Sequence, residues 1–209
     1  MSRGRALAQM LFFALVVRPF LRLFIGLRVV GREHLPPSDP FILVANHSSH
    51  LDAASLLSLF PLRRLRRIQP VAAADYFERT RGLAWFTRTF FNILPIVRRK
   101  VTAETDPRPR MLAALAAGQS LLIFPEGTRG DGWPGRFRSG VAYLIERMPE
   151  VPVVPAYLKN LGRSLPKGEV LPVPFFAEIR LGAPERLGGT QAEILARLEA
   201  AVRRLGDEP

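Results

Sequence analysis

A chain of 209 residues, 48% of them hydrophobic, suits a single domain with a sizeable core, or one domain with a short appendage. The absence of cysteine excludes a disulfide framework, a zinc-thiolate site and a cysteine nucleophile. Thirty basic residues against 18 acidic ones leave a net charge of +12, nearly all from arginine, whose planar fork suits phosphate, so nucleic acid, an anionic bilayer and a phosphorylated small molecule are the partner classes to weigh.

After the opening SRGR, an apolar run extends from Ala6 to Val17, interrupted only by Gln9. Alone it is too short to span a bilayer, which takes about 20 residues. Beyond Arg18 and Pro19 the apolar character resumes through Leu27, with arginines interspersed, and no small-residue cleavage site follows. Residues 1–30 are therefore read as two short helices broken at Arg18 and Pro19, forming an interfacial or re-entrant membrane anchor; a pair of core-packing helices is the alternative. Residues 31–209 form the remaining domain.

Phe41 to Ala45 (FILVA) has the continuous apolar character of a strand buried on both faces, and a helix from Leu51 to Leu59, capped by Ser48 or Ser49, follows it. PLRRLRRI, Pro61 to Ile68, is a basic connector, a solvated turn or a lipid-headgroup patch. Val71 to Ala74 reads as a strand, Gly82 to Phe91 as an aromatic-rich helix and Ile93 to Val97 as a short strand. A helix from Pro109 to Ala117, stopped by Gly118, leads into the strand Leu121 to Phe124, which Pro125 and Gly127 end abruptly. Gly130 to Gly135 is a glycine-punctuated loop, a lid or a plain surface turn. A helix from Val141 to Met148 precedes Val151 to Leu158, whose two prolines predict an edge or irregular strand, and Pro174 to Leu181 is another strand. The last helix carries the capping-box pair Thr190 and Glu193 and one apolar face of Ile194, Leu198, Val202 and Leu205.

Strands alternating with helices at this spacing give an α/β protein with a largely parallel sheet. In such a sheet the strand ends carrying His47, Arg98, Glu126 and Arg129 lie along one edge, where these folds bind ligands. His47 and Asp52 are the first chemical pair there. On one helix they would point about 140° apart, so they meet only if His47 sits in the turn and Asp52 in the first turn of the helix. A carboxylate on one imidazole nitrogen would fix the tautomer and leave the other as a general base. Arg98 and Arg129 could grip a phosphate, and Glu126 could orient Arg129 or accept from a substrate hydroxyl. This combination suits a substrate bearing both a hydroxyl and a phosphate.

Asn46 to Asp52 (NHSSHLD) resembles the NHxSxxD block of the glycerolipid acyltransferases, the 1-acylglycerol-3-phosphate acyltransferase (PlsC-like) family. Phe124 to Arg129 (FPEGTR) matches that family's third block in full, while Ile96 to Arg98 and Val153 to Pro155 resemble its second and fourth. Asn92, Val97 and His50 depart from its usual residues. The resemblance implies transfer of an acyl group from acyl-CoA or acyl-carrier protein, as co-substrate and with no further cofactor or metal, to the hydroxyl of a lysophospholipid. The acceptor it implies is 1-acylglycerol-3-phosphate, giving phosphatidic acid, with another lysolipid such as lyso-ornithine lipid as the alternative. It further implies His47 as base, Asp52 as its orienting partner, Arg98, Glu126, Gly127, Thr128 and Arg129 around the acceptor, and Pro155 shaping the acyl site. The location implied is the cytoplasmic face of the cell membrane.

Two other readings stand beside it. A metallohydrolase would use His47, His50 and Asp52 as ligands. A non-enzymatic basic module would bind phospholipid or nucleic acid, although no aromatic-interleaved basic platform accompanies the arginines, which argues against nucleic acid.

Overall fold

The computed structural model describes residues 3–77, 80–97, 102, 104–165 and 171–207. Strands β1 (Arg28–Val30), β2 (Ile42–Ala45), β3 (Ile68–Ala73), β4 (Leu94–Ile96), β5 (Ser120–Ile123), β6 (Val153–Lys159) and β7 (Glu178–Leu181) form one seven-stranded sheet in the order β1-β7-β6-β2-β5-β3-β4. All neighbours pair in parallel except β6 and β7. Every residue of β2 and β5 is buried, because alternate side chains enter different cores: Leu43 and Ala45 face one layer of helices, Ile42 and Val44 the other.

The helices are α1 (Arg3–Phe12), α2 (Leu51–Ser58), α3 (Ala74–Phe77), α4 (Arg81–Phe90), α5 (Pro107–Ala116), α6 (Gly140–Arg147), α7 (Leu161–Ser164) and α8 (Gln191–Asp207). The N-terminal segment, α2 and α7 cover one face of the sheet, and α5, α6 and α8 the other. In α8 the expected capping box forms, with the Thr190 N–H donating to Glu193 at 2.8 Å, and Ile194, Leu198, Val202 and Leu205 are buried.

The N-terminus departs from the expected helix pair. Arg18 and Pro19 keep helical dihedrals, and α1 runs on through π-helical turns at Phe13–Val17 and Phe20–Phe24. Proline cannot donate to the helical ladder and crowds the carbonyl four residues earlier; the wider turns on either side relieve both problems without a break. The resulting helix, Gly4–Phe24, has 21 residues and is long and apolar enough, by length and composition, to cross a membrane. Its packing lays it along the domain instead, with Gln9, Phe13, Val17 and Leu21 buried.

Other boundaries shift for local reasons. The basic connector is a 3₁₀ helix, Leu62–Arg67, anchored by buried Leu65 and by an Arg64–Asp39 ion pair at 3.0 Å, so β3 starts earlier than its apolar run suggests. β6 is an interior strand despite its prolines. The Pro155 carbonyl accepts from Gly182 at 2.8 Å and the β6–β7 ladder begins at the next residue, so the missing N–H falls outside the ladder. Residues 174–177 lie outside β7; the Phe175 carbonyl there accepts from the Ser164 hydroxyl at 2.7 Å.

Candidate active site

The parallel register that sets Val44 of β2 beside Ile123 of β5 carries both strands to the same edge, so the turn after β2 meets the turn after β5. Asn46 closes the end of β2. Its side chain donates to the Leu158 carbonyl at 3.0 Å and accepts from the Leu158 N–H at 2.7 Å, doing for β6 what one more ladder residue would do. It also donates to the Gly132 carbonyl at 2.7 Å, which ties the glycine loop to the same edge.

His47 lies one residue further on, and its Nδ1 is 2.8 Å from Oδ2 of Asp52 in the first turn of α2. The same oxygen accepts from the backbone N–H groups of Ser48 at 2.7 Å and Ser49 at 2.8 Å. Asp52 thus caps the turn that positions its own histidine; neither serine side chain caps α2 as expected, although Ser49 Oγ accepts from the Leu51 N–H at 3.2 Å. An ionised carboxylate can only accept, so Nδ1 carries the hydrogen and Nε2 is left as the basic nitrogen. Asp52 is wholly buried, whereas 23% of the His47 side chain is exposed. Phe124 stacks on the imidazole with ring centroids 4.3 Å apart, covering one ring face.

His47 lines a cavity of about 740 Å³, within the usual range of about 300 to 1,000 Å³ for small-molecule sites. Polar and charged residues in its lining include His50, Thr128, Arg129, Arg138 and Ser139, with Gly127 among them. The lining also carries apolar side chains, among them Leu83, Phe86, Ile96, Met111, Ile123 and Val141. Burial, and then the Arg129 charge, push the His50 imidazole below the ordinary histidine range, which favours its neutral form.

The structure divides the expected residues. His47, Gly127, Thr128 and Arg129 meet at the cavity, and Asp52 stands behind His47. Glu126 turns away from that wall: its carboxylate accepts from the backbone N–H groups of His47, at 3.2 Å, and Gly135. The same turn is latched a second time, because the Gly130 N–H donates to the His47 carbonyl at 2.8 Å. Burial raises the Glu126 carboxyl above the usual carboxylate range, against the opposing pull of those N–H groups. Pro155 is also away from the main cavity, on the β6 side against Gly182 and Leu205. Arg98 lies outside the described residues.

Arg138 was not legible in advance. Its Nε donates to the Glu126 carbonyl at 3.2 Å, and it lies across Gly127, where an added Cβ would sit 2.8 Å from that nitrogen. With φ of +74°, Gly127 both makes the turn and makes room for a second cation at the cavity. Among the described residues, no three His, Asp or Glu side chains group as metal ligands, and the Nδ1 of His47 is already engaged by Asp52.

A family model of acyltransferases matches residues 26–159, from just before β1 to the end of β6. The chain belongs to the acyltransferase family. The 1-acyl-sn-glycerol-3-phosphate acyltransferase BAT2 of Brassica napus chloroplasts is 33% identical over 142 residues, covering 67% of this chain and 39% of that protein. The human 1-acyl-sn-glycerol-3-phosphate acyltransferase alpha is 29% identical over 164 residues, covering 76% of this chain and 54% of the relative. The acyltransferase chain thus spans about half or less of these curated relatives. Among solved structures, the 1-acyl-sn-glycerophosphate acyltransferase PlsC of Thermotoga maritima superposes with a TM-score of 0.75 at 25% identity, covering 98% of this chain and 82% of that one.

Proposed function

We propose that this acyltransferase moves a fatty acyl group from a thioester, acyl-CoA or acyl-carrier protein, to the free hydroxyl of 1-acylglycerol-3-phosphate, giving phosphatidic acid. The observation that carries this reading is a buried-carboxylate–imidazole pair, 2.8 Å apart, at a cavity lined by both cations and apolar side chains. Nε2 of His47 takes the acceptor's hydroxyl proton, and the alkoxide attacks the thioester carbonyl carbon. The new C–O bond forms as the C–S bond breaks, and the leaving thiolate recovers the proton from the imidazolium, whose charge Asp52 stabilises. Arg129, with Arg138 beside it, faces the acceptor phosphate, while the apolar walls take acyl chain at a gain of about 0.8 kcal/mol per buried methylene. The names of the relatives support the acceptor class.

The reaction is placed at the cytoplasmic surface of the cell membrane. The N-terminal helix supports a membrane setting: Leu7, Leu11 and Leu15 are exposed and lie two positions out of phase with buried Gln9, Phe13 and Val17, so an apolar face points away from the domain.

Initial rates with a thioester donor and a panel of lysophosphatidate, lyso-ornithine lipid and glycerol 3-phosphate test the proposal, with lysophosphatidate expected to react fastest. Arg129→Ala should weaken the phosphorylated acceptor by about 1.5 to 3 kcal/mol in its kinetic constant, and leave the donor's unchanged. Lysine at that position should rescue in part, since a point charge lacks the fork. A penalty on the donor instead would exchange the two substrate sites.

Glu126 is assigned to positioning His47, so Glu126→Gln should lower kcat by roughly tenfold to a hundredfold, one backbone N–H losing its acceptor, with the acceptor KM nearly constant. A rise confined to the acceptor KM would place Glu126 on the substrate after all.

A further inference from the structure

Residues 171–176, which lead into β7, carry their apolar side chains outward. Leu171 is 77% exposed, Val173 53% and Phe176 82%, and Phe175 joins them at 38%. This is not a loosely held stretch. The Val173 N–H donates to the Ser164 carbonyl at 2.8 Å, Ser164 Oγ donates to the Phe175 carbonyl at 2.7 Å, and the Asn160 side chain reaches the Phe176 carbonyl at 3.2 Å. A backbone pinned at three points presents side chains that a water-facing surface would not select as a contiguous group.

The segment also abuts the end of the N-terminal helix. The Phe176 ring lies against Gly26, so closely that a Cβ on that glycine would fall 2.6 Å from a ring carbon. Just before Gly26 the helix exposes Leu23, at 82%, and Phe24. The two apolar surfaces are therefore continuous. Exposed arginines border them: Arg22 and Arg28 beside Gly26, and Arg163, whose guanidinium lies 5.2 Å from the Phe175 ring centroid. Aromatic and aliphatic tips ringed by guanidinium groups complement a bilayer with anionic headgroups, the apolar tips entering and the cations meeting phosphate.

We propose that Leu171, Val173, Phe175 and Phe176 form a second bilayer-inserting element, continuous with the outward face of the N-terminal helix, whose partner is an anionic lipid surface. The inference rests on the membrane setting proposed above and extends it to a part of the chain about 150 residues downstream. Two separate points of insertion fix the tilt of the domain on the membrane, which a single helix lying flat would leave free to roll about its own axis. Lipidic substrates then reach the cavity from one defined side.

The cysteine-free sequence makes the test direct. Single variants of the full chain, Phe176→Cys, Leu23→Cys and Arg197→Cys, are labelled with an environment-sensitive fluorophore and mixed with phosphatidylethanolamine vesicles, with or without phosphatidylglycerol. Arg197 lies on α8, in the layer on the other side of the sheet from the N-terminal helix, and serves as the control. Labels at 176 and 23 should shift to the blue on phosphatidylglycerol-containing vesicles while the label at 197 stays in water. A shift at 23 without one at 176 overturns the second element and leaves the membrane setting intact; a shift at neither overturns both. A concentration-dependent shift at 176 without vesicles means that a second copy covers the surface, and also overturns it. In parallel, the double variant Leu171→Ser with Phe176→Ser should lose about tenfold or more in vesicle affinity while retaining activity toward detergent-dispersed acceptor. Unchanged affinity would overturn the inference.

Discussion

Alanine in place of His47 is expected to lower turnover by about 10² to 10⁴ in a protein that folds as before, the cost typical of losing a general base. The expectation of normal folding comes from the turn itself. Without the imidazole, Asp52 still accepts from the Ser48 and Ser49 N–H groups, and the backbone bonds from His47 to Glu126 and from Gly130 to His47 need no side chain at position 47. Asp52→Ala would be a poorer probe, because it strips a buried turn of the side-chain acceptor for those two N–H groups as well as unpairing the histidine. His50→Ala serves as the comparison: its imidazole lines the same cavity, but the bond that fixes a tautomer for proton abstraction is the one from His47 to Asp52, so loss of His50 should cost far less. Single-turnover rates beside thermal melts decide the matter. Near-normal turnover in His47→Ala ends the general-base reading, and equal losses at the two histidines would point to joint metal ligation.

Deletion of residues 1 to 25 is expected to prevent stable folding, which goes beyond release from the membrane. Phe13, Val17, Leu21 and Ile25 are each no more than 7% exposed and belong to the same core as β2, β6 and β7. At about 1.5 to 3 kcal/mol for each buried side chain, removing four costs roughly 6 to 12 kcal/mol, comparable to the whole stability of a typical domain at about 5 to 15 kcal/mol. Circular dichroism and urea unfolding of the truncated chain in detergent would check this. A cooperative transition with unaltered midpoint would show the helix to be a mere appendage. The gentler variant Leu7→Ser with Leu15→Ser, on the outward face, should fold normally and isolate the helix's effect on membrane partition.

What the sequence disclosed, and what it withheld, follows from the range over which each feature is determined. FILVA and LLIF are legible because a strand buried on both faces is apolar at every position, and the capping box of α8 because its two partners are three residues apart. The His47–Asp52 pair is equally local, since a six-residue turn contains both groups and the N–H donors that hold them. Failures occur where the deciding partner is distant. The prolines of β6 left edge and irregular strand both open, because its interior place and the point where the β7 ladder starts are set by residues 181 and 182. The bond from the His47 N–H to Glu126 was likewise out of reach of the local pattern, which offered only Arg129 or a substrate hydroxyl as partners, because His47 lies 79 residues earlier. β1 is three residues long with only one side half-buried, too little pattern for periodicity to register. At Pro19 a general rule about proline was overruled by widened turns, and Arg138 carries no local mark distinguishing it from the many other arginines.

The aromatic cluster at Phe12 joins the N-terminal helix to α4, which walls the cavity. Phe12 touches Phe86 with ring centroids 5.7 Å apart and Phe90 at 4.6 Å, and Phe86 is itself part of the apolar wall of the cavity. Phe12, the last residue of α1, therefore packs on the wall of the space that would hold the proposed acyl chain. In the proposed membrane setting, a load on that helix, from bilayer thickness, lateral pressure or a detergent belt of different curvature, is carried through this set of ring contacts to the cavity wall formed by Phe86 and Phe91. Selectivity toward acyl chains is then a joint property of the protein and the phase it sits in, and a preference measured in micelles will not carry over unaltered to a membrane.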